Sequence, residues 1–379
     1  NRDFYIRKLL SKRENGKVKI ITGIRRCGKS FLLFNLYKDL LLKEGVKENN
    51  IIEIALDRKE YIKYRNPNLL YEYIMSKINH NEQFYVFIDE IQMSYKIKNQ
   101  DVNEKYIPEE DKELLYTTFY DILNDLMSFE NIDVYVTGSN SKMLSKDIVT
   151  NFRDRGSEIT VFPLSFTEYC SVSDMEKMDA LEEYMMYGGM PLSVIEKDEL
   201  EKKKYLLSLH NNVFVKDITE RYNLKDDVLL SSLIDILYSS VGSLTNTHKL
   251  SNTAESVMKI KSSDNTIKKY LDYLEDAFLF RSAKRYDIKG KRYFGTNLKY
   301  YATDIGLRNA KLNFRQYERS HLMENIIYNE LIIKGYSVDI GIVEFTRKIE
   351  DRNVQSQHEI DFIVNNGSNK IYIQSSLNV

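Results

Sequence analysis

The chain has 379 residues, with 55 basic against 56 acidic side chains, two cysteines and five histidines. Such balance excludes a global field that would draw it to nucleic acid or a membrane surface, so any basic site must be local. Cys27 and Cys170 cannot build a disulfide framework and fit a reduced, cytoplasmic setting, and the scattered histidines argue against a zinc site.

No apolar stretch approaches the roughly 20 residues that span a bilayer, so no membrane partner is expected. The charged opening, Arg2, Asp3, Arg7 and Lys8, predicts no signal peptide. The length predicts two or three domains. Alternation of apolar runs with helical patterns over residues 1–165 predicts strands at 18–22, 51–56, 84–88, 132–137 and 159–163. Helices are predicted near 29–44, 67–79, 113–128 and 141–148, with the polar stretch 94–112 as a loop or insertion. That pattern makes a parallel sheet covered on both faces.

The first strand carries the strongest signal. Val18, Ile20 and Ile21 lead into Gly23, and four residues later comes Gly28-Lys29-Ser30, a complete G-x-x-x-x-G-K-[ST] phosphate-binding loop. Glycine lets the backbone wrap an anion with its N–H groups pointing inward, and the helix N-terminus that follows favours phosphate. Lys29 is placed for the β- and γ-phosphates and Ser30 for Mg²⁺; Cys27 is expected to pack.

About 60 residues on, the run Phe84–Ile88 ends in Asp89-Glu90. Beside a phosphate loop such a strand brings Asp89 to Mg²⁺ and leaves Glu90 to polarise a water. The strand 132–137 ends in Gly138-Ser139-Asn140-Ser141, which reads equally as a turn or as a polar tip facing the water or the γ-phosphate.

Residues 166–222 read as helical, broken at Gly188-Gly189-Met190-Pro191, where the glycines end one helix and Pro191 opens the next. Further on, Leu250, Ala254 and Val257, then Ile267, Leu271 and Leu274 behind Ser263-Asp264-Asn265, predict a helix-turn-helix. It leads into Arg281, Lys284, Arg285, Lys289, Lys291 and Arg292, six bases against one acid in the twelve residues 281–292. The reading is a winged helix with a basic hairpin suited to DNA phosphates; the alternative is a packing module with a solvated hairpin.

The last segment places Glu324 and Glu330 on a helix and Glu359, Asp361 and Ile363 on one face of a strand. A turn at Asn366-Gly367 leads to Gln374-x-Ser376. A helix Glu, a strand Asp and a polar pair across a hairpin suggest a restriction-type nuclease centre. Here Gln374 and Ser376 replace the usual acid and lysine, so the centre reads as degenerate.

Together these segments resemble a prokaryotic family of AAA-type P-loop ATPases with a C-terminal restriction-nuclease-like domain of unknown function. Its markers here are 24–30, Phe87–Gln92, Tyr135–Leu144, Phe152–Gly156, Phe162–Phe166, Tyr187–Pro191, Tyr300–Arg308, Glu324–Leu331 and Glu359–Phe362. The resemblance implies an α/β fold. A P-loop NTPase parallel sheet (AAA-like, additional-strand type) is followed by a helical and winged-helix region and a small α/β nuclease-like domain.

It also implies ATP and Mg²⁺ as cofactors. Gly23, Arg26, Gly28, Lys29 and Ser30 would hold the nucleotide, Ser30 and Asp89 the metal, and Glu90, Asn140, Arg153 and Arg155 would act in catalysis. Asp154 stands where a glycine is usual, and the last domain is expected to be truncated at Val379. The expected limits are 1–165 (ATPase), 166–225 (helical lid), 226–310 (winged helix) and 311–379 (nuclease-like). Three functions compete: an ATPase that controls the later domains, a nucleotide-gated DNA-binding regulator with little turnover, and an ATP-regulated nuclease. Self-association is a further possible partnership.

Overall fold

The computed structural model describes residues 2–79, 81–99, 102, 104–139, 156–224, 227–349, 352–367 and 369–376. Its strands in chain order are β1 (Val18–Thr22), β2 (Ile51–Ala55), β3 (Phe84–Asp89), β4 (Ile97–Lys98), β5 (Tyr116–Thr117), β6 (Ile132–Thr137) and β7 (Gly156–Thr160). These are followed by β8 (Leu244–Thr245), β9 (Phe280–Asp287), β10 (Arg292–Ala302), β11 (Ser337–Ile349), β12 (Arg352–Asn366) and β13 (Asn369–Ile373). The chain divides into two compact units, Asn1–Val161 and Phe162–Val379.

In the first unit five parallel strands lie in the order β2-β3-β6-β1-β7. Parallel strands need crossover helices, and strands covered on both faces read as unbroken apolar runs; β3 and β6 are buried at every position. Leu70 and Ile74 of helix Pro67–Lys77, with Ile122, Leu123 and Leu126 of helix Phe119–Leu126, join Ile54, Val86 and Val136 in one core. Alternate residues point to the other face, where Phe34 and Tyr37 of the helix spanning 29–43 meet Phe87 and Tyr135.

Two predicted elements of this unit shift. The helix expected at 113–128 starts only at Phe119, because Thr118 N–H donates to Asp121 Oδ2 (2.7 Å) and fixes the start there; such a cap is worth about 1 kcal/mol. The residues before it form a short 3₁₀ segment and β5, which pairs with β4 inside the stretch expected to be a loop. The strand expected at 159–163 is β7, paired with β1 from Val18↔Gly156 to Thr22↔Thr160. It ends where Val161 N–H donates to Thr22 O (2.8 Å), and Pro163 has no N–H to extend the ladder. The helix expected at 141–148 lies outside the described residues.

The second unit holds a six-stranded sheet in the order β13-β12-β11-β9-β10-β8. The expected limit at 310/311 falls inside this sheet, since β9 pairs in parallel with β11 and antiparallel with β10. Helix Arg319–Ile333 packs on it, with Tyr328 stacked on Tyr301 at 4.1 Å. Ser263 caps helix Asp264–Asp276 through Thr266 N–H (3.1 Å), as expected, and buries Ile267, Leu271 and Leu274. Val257, expected on the apolar face of the preceding helix, is exposed, whereas Leu250 and Ala254 are buried.

Several sequence markers of this unit meet as joints. Asp304 caps helix Ile305–Lys311 through Leu307 N–H (3.0 Å) and also accepts from Gly189 N–H (2.8 Å). Asn325 pairs with both backbone groups of Ala302 (2.8 Å each). Glu330 accepts from Phe166 N–H (2.7 Å), so its carboxylate caps a helix. Fully buried Arg308 donates to Tyr238 O (3.1 Å) and Gln316 O (2.5 Å).

Candidate functional site

The carboxyl ends of parallel strands share one edge of a sheet, and crevices form where neighbouring connections diverge. In the first unit β6 separates β1 from β3, and the loop after β1 and the acids after β3 lie at that edge.

The loop is held from beneath. A Cβ on Gly23 would stand 2.0 Å from Val161 O, so only glycine lets the two backbones approach; Gly23 φ is +139° and Gly28 φ is +97°. Cys27 is buried with its Sγ 3.3 Å from Val161 O, as expected of a packing residue. Arg2, itself buried, donates to Cys27 O (3.0 Å). Lys29 is buried and its ammonium donates to Gly23 O (2.9 Å) and Ile24 O (3.1 Å), spanning the loop. Ser30 and Arg26 are exposed.

Asp89 is buried and accepts a hydrogen bond from Thr137 Oγ1, on the neighbouring strand tip. Thr137 Oγ1 also accepts from Glu90 N–H (3.1 Å), so one hydroxyl orients both acids. Glu90 has a left-handed backbone, φ +54°, which turns its half-buried carboxylate away from the strand. Gln92 Nε2 donates to Glu90 Oε2 and lies 3.4 Å from Ser139 Oγ. Burial pushes the Glu90 carboxyl above the usual range and Asp89 adds to the shift, while Lys29 and the Gln92 hydrogen bond oppose it.

A cleft of about 150 Å³ lies beside this cluster, lined by Ser30, Phe31, Phe34, Asn35, Ala55, Arg58 and Asp89. The structure thus brings Ser30 and Asp89 to one cleft. A hydroxyl and a carboxylate are hard oxygen donors that suit Mg²⁺, which is commonly bound by one or two protein groups plus phosphate and water. Among the described residues no cluster of three or more His, Cys, Asp or Glu side chains offers an all-protein metal cage. Asn140, Arg153 and Arg155 lie outside the described residues.

Sequence reasoning missed Arg58, Thr137, Gln92 and Arg2. The strand-end rule signals the first two: Thr137 closes β6, and Arg58 follows β2 by three residues. Gln92 likewise follows β3 by three residues, whereas Arg2 carries no such signal.

In the second unit the expected basic hairpin is partly used up by packing. Arg285 is buried, with its guanidinium over Phe294 and 3.1 Å from Gln357 Oε1; Arg281 lies over Phe162. Both lie on β9, an inner strand paired with β10 on one side and β11 on the other. Lys284, Lys289, Lys291 and Arg292 remain exposed, although Lys289 lies 4.0 Å over Phe345.

The acids of the last segment are engaged. Lys299, buried, bridges Glu324 (3.0 Å) and Glu359 (2.5 Å), and Tyr301 donates to Glu324 (2.7 Å). Burial alone would lower the Lys299 pKa, but the two carboxylates hold it above its ordinary value. Asp361 Oδ2 accepts from Gln374 Nε2 (2.8 Å) and Ser375 N–H (2.7 Å). A register shift between Asp339↔Ile363 and Gly341↔Ile360 puts Asp361 at a bulge, so the strict alternation expected for 359, 361 and 363 breaks there.

A family model described as AAA domain matches residues 15–170, and one described as a domain of unknown function (DUF8612) matches residues 178–318. An uncharacterized protein of Haemophilus influenzae is 34% identical over 385 residues, covering 100% of this chain and 87% of that protein. Another, of Methanocaldococcus jannaschii, is 27% identical over 374 residues, 94% of this chain and 74% of that one. Similar solved structures include the Aeropyrum pernix ORC1 protein in complex with DNA, with 11% identity, TM-score 0.31 and coverage of 83% and 92% of the two chains. Cdc6p from Pyrobaculum aerophilum gives 12% identity, TM-score 0.31 and coverage of 86% and 94%. Among the described residues no helix is long and apolar enough to cross a membrane.

Proposed function

Since the chain belongs to a family of P-loop AAA-domain proteins that includes the Haemophilus influenzae protein, we propose that it is a Mg²⁺-dependent ATPase whose nucleotide state controls the second unit. The observation that carries this is the convergence of Ser30 and Asp89 on one cleft, with Lys29 and Glu90 beside it. Gly23, Arg26, Gly28 and Lys29 would hold the phosphates, and Ser30 and Asp89 would hold Mg²⁺, which would supply neutralisation of the phosphate charge. Glu90 is the base that orients and deprotonates water. Its peptide N–H and its carboxylate are both held, by Thr137 and Gln92, which favours hydrolysis over mere nucleotide gating. Asn140, Arg153 and Arg155 keep their proposed catalytic roles.

Arg58 lines the same cleft as Ser30 and Asp89, and stabilising charge that develops on the transferred phosphoryl group suits it. Arg58→Ala should lower kcat about 10- to 100-fold while binding of a non-hydrolysable ATP analogue changes little. Arg58→Lys should recover part of the loss. An unchanged kcat in Arg58→Ala would remove this role.

For residues 226–310 the winged-helix reading is supported by element order. Helix Asp227–Ser239, β8, two helices, β9 and β10 follow one another, and β8 pairs with β10. DNA contact then falls to Lys289, Lys291 and Arg292 at the hairpin tip. Replacing all three with Gln should weaken DNA binding and reduce its salt slope by roughly one unit per lost phosphate contact. A wild-type protein that leaves labelled duplex unbound at low salt would leave the hairpin as an internal bridge.

A nuclease reading of 311–379 is disfavoured. Lys299 neutralises the helix and strand acids, and Asp361 is already satisfied by Gln374 and Ser375. The segment reads instead as a degenerate centre kept for docking.

A further inference from the structure

A second cleft of the first unit shares no lining residue with the phosphate loop. It has a volume of about 970 Å³ and runs between helices Pro67–Lys77 and Phe119–Leu126, walled by the insertion that carries β4 and β5. We infer that this cleft is a docking surface for an extended, Lys- or Arg-bearing segment of a partner protein.

Three observations carry the inference. The first is exposed apolar surface: the insertion presents Tyr95 at 50%, Tyr106 at 79%, Leu114 at 66% and Tyr116 at 39% exposure. Clustered apolar exposure rimmed by polar groups marks an interaction site rather than ordinary surface. Tyr95, Leu114 and Tyr116 line the cleft itself, beside Tyr71 and Tyr120.

The second is charge. Glu72, Glu113, Asp121 and Asp125 line the cleft against one ammonium, Lys96. Nearby bases of the insertion are already neutralised, Lys98 by Glu104 (2.8 Å) and Lys112 by Glu109 (2.5 Å). Asp121 is occupied at the cap of its helix, whereas Glu72, Glu113 and Asp125 form no ion pair among the described residues. A nucleic acid would be repelled by this lining, and a cationic chain attracted.

The third is that the cleft already uses the proposed chemistry once. Lys96 Nζ stands 4.6 Å from the centre of the Tyr116 ring, a cation–π contact of the kind worth about 0.5–1 kcal/mol at exposed sites. A partner's Arg or Lys would repeat it on the neighbouring tyrosines, with Glu72, Glu113 and Asp125 pairing the charge. The cleft volume suits a few residues of extended chain rather than a single side chain.

The probe is a fluorescein-labelled octapeptide of alternating Arg and Ala, with the Glu–Ala octapeptide as control, followed by anisotropy with the full chain at low and moderate salt. The Arg peptide should bind and weaken as salt rises; the Glu peptide should not bind. The variant Glu72→Gln/Glu113→Gln/Asp125→Asn should lose at least about tenfold in affinity, and Tyr116→Ala should weaken binding on its own. All four positions are exposed, and the far-UV circular dichroism spectrum and melting temperature of each variant report that the fold is kept. Single-stranded DNA should not compete. Absence of Arg-peptide binding at low salt, binding that the triple variant leaves unchanged, or displacement by DNA would each overturn the inference.

Discussion

Lys29→Ala is expected to reduce ATP turnover by about 10³-fold or more, with loss of nucleotide affinity and an unchanged far-UV circular dichroism spectrum. Among the described residues the Lys29 ammonium forms no ion pair; it donates to the carbonyls of Gly23 and Ile24 at the mouth of the loop. Losing those two bonds costs on the order of 1 kcal/mol, small beside the stability of a domain built on a five-stranded sheet. On the proposed reading, the charge it removes is the one that meets phosphate. A folded Lys29→Ala protein with wild-type turnover would refute the ATPase reading itself. It would leave the cleft lined by the insertion untouched, because no residue of the loop lines it.

What the sequence made legible was the part governed by local rules. Apolar runs located β1, β2, β3 and β6 within a residue or so, because parallel strands covered on both faces read as such short runs. The glycine spacing before Lys29 and the acids after Phe84–Ile88 pointed to segments that the structure brings to one edge of the sheet, where Ser30 and Asp89 line one cleft. Where a side-chain cap decided the outcome, the periodicity misled. Thr118 and Asp121 delay a helix that apolar spacing alone would start at 113.

Tertiary placement was less legible still. Arg281 and Arg285 count as cations in a list of residues but are packing groups once β9 becomes an inner strand. Lys299 is separated from Glu324 and Glu359 by 25 and 60 positions, so no local pattern joins the three into one ion-pair cluster. Arg58 lies past the end of a strand with no motif around it, and only the shared edge of the sheet brings it to Ser30 and Asp89.

Glu90→Gln should separate binding from chemistry. The amide keeps the shape and removes the base, so ATP affinity should persist while turnover falls by about 10²- to 10⁴-fold. The electrostatics add a signature. Burial holds the Glu90 pKa above the ordinary carboxylate value, and a general base works only when ionised. The acid limb of the wild-type rate profile should therefore lie at higher pH than a free glutamate would give. Gln92→Leu removes a donor that favours the carboxylate, so it should push that limb further up; a downward shift would show that Gln92 does not face the ionised base. Stability carries the opposite sign. A carboxyl whose folded-state pKa is raised favours the folded protein at pH below its unfolded-state pKa, and that contribution is lost as pH rises through the folded-state pKa. At neutral pH Glu90 is consequently a burden on the fold, and Glu90→Gln should melt at the same temperature as wild type or higher. A variant that loses both ATP affinity and thermal stability would instead make Glu90 a structural residue, and the base would have to be sought elsewhere on the same sheet edge.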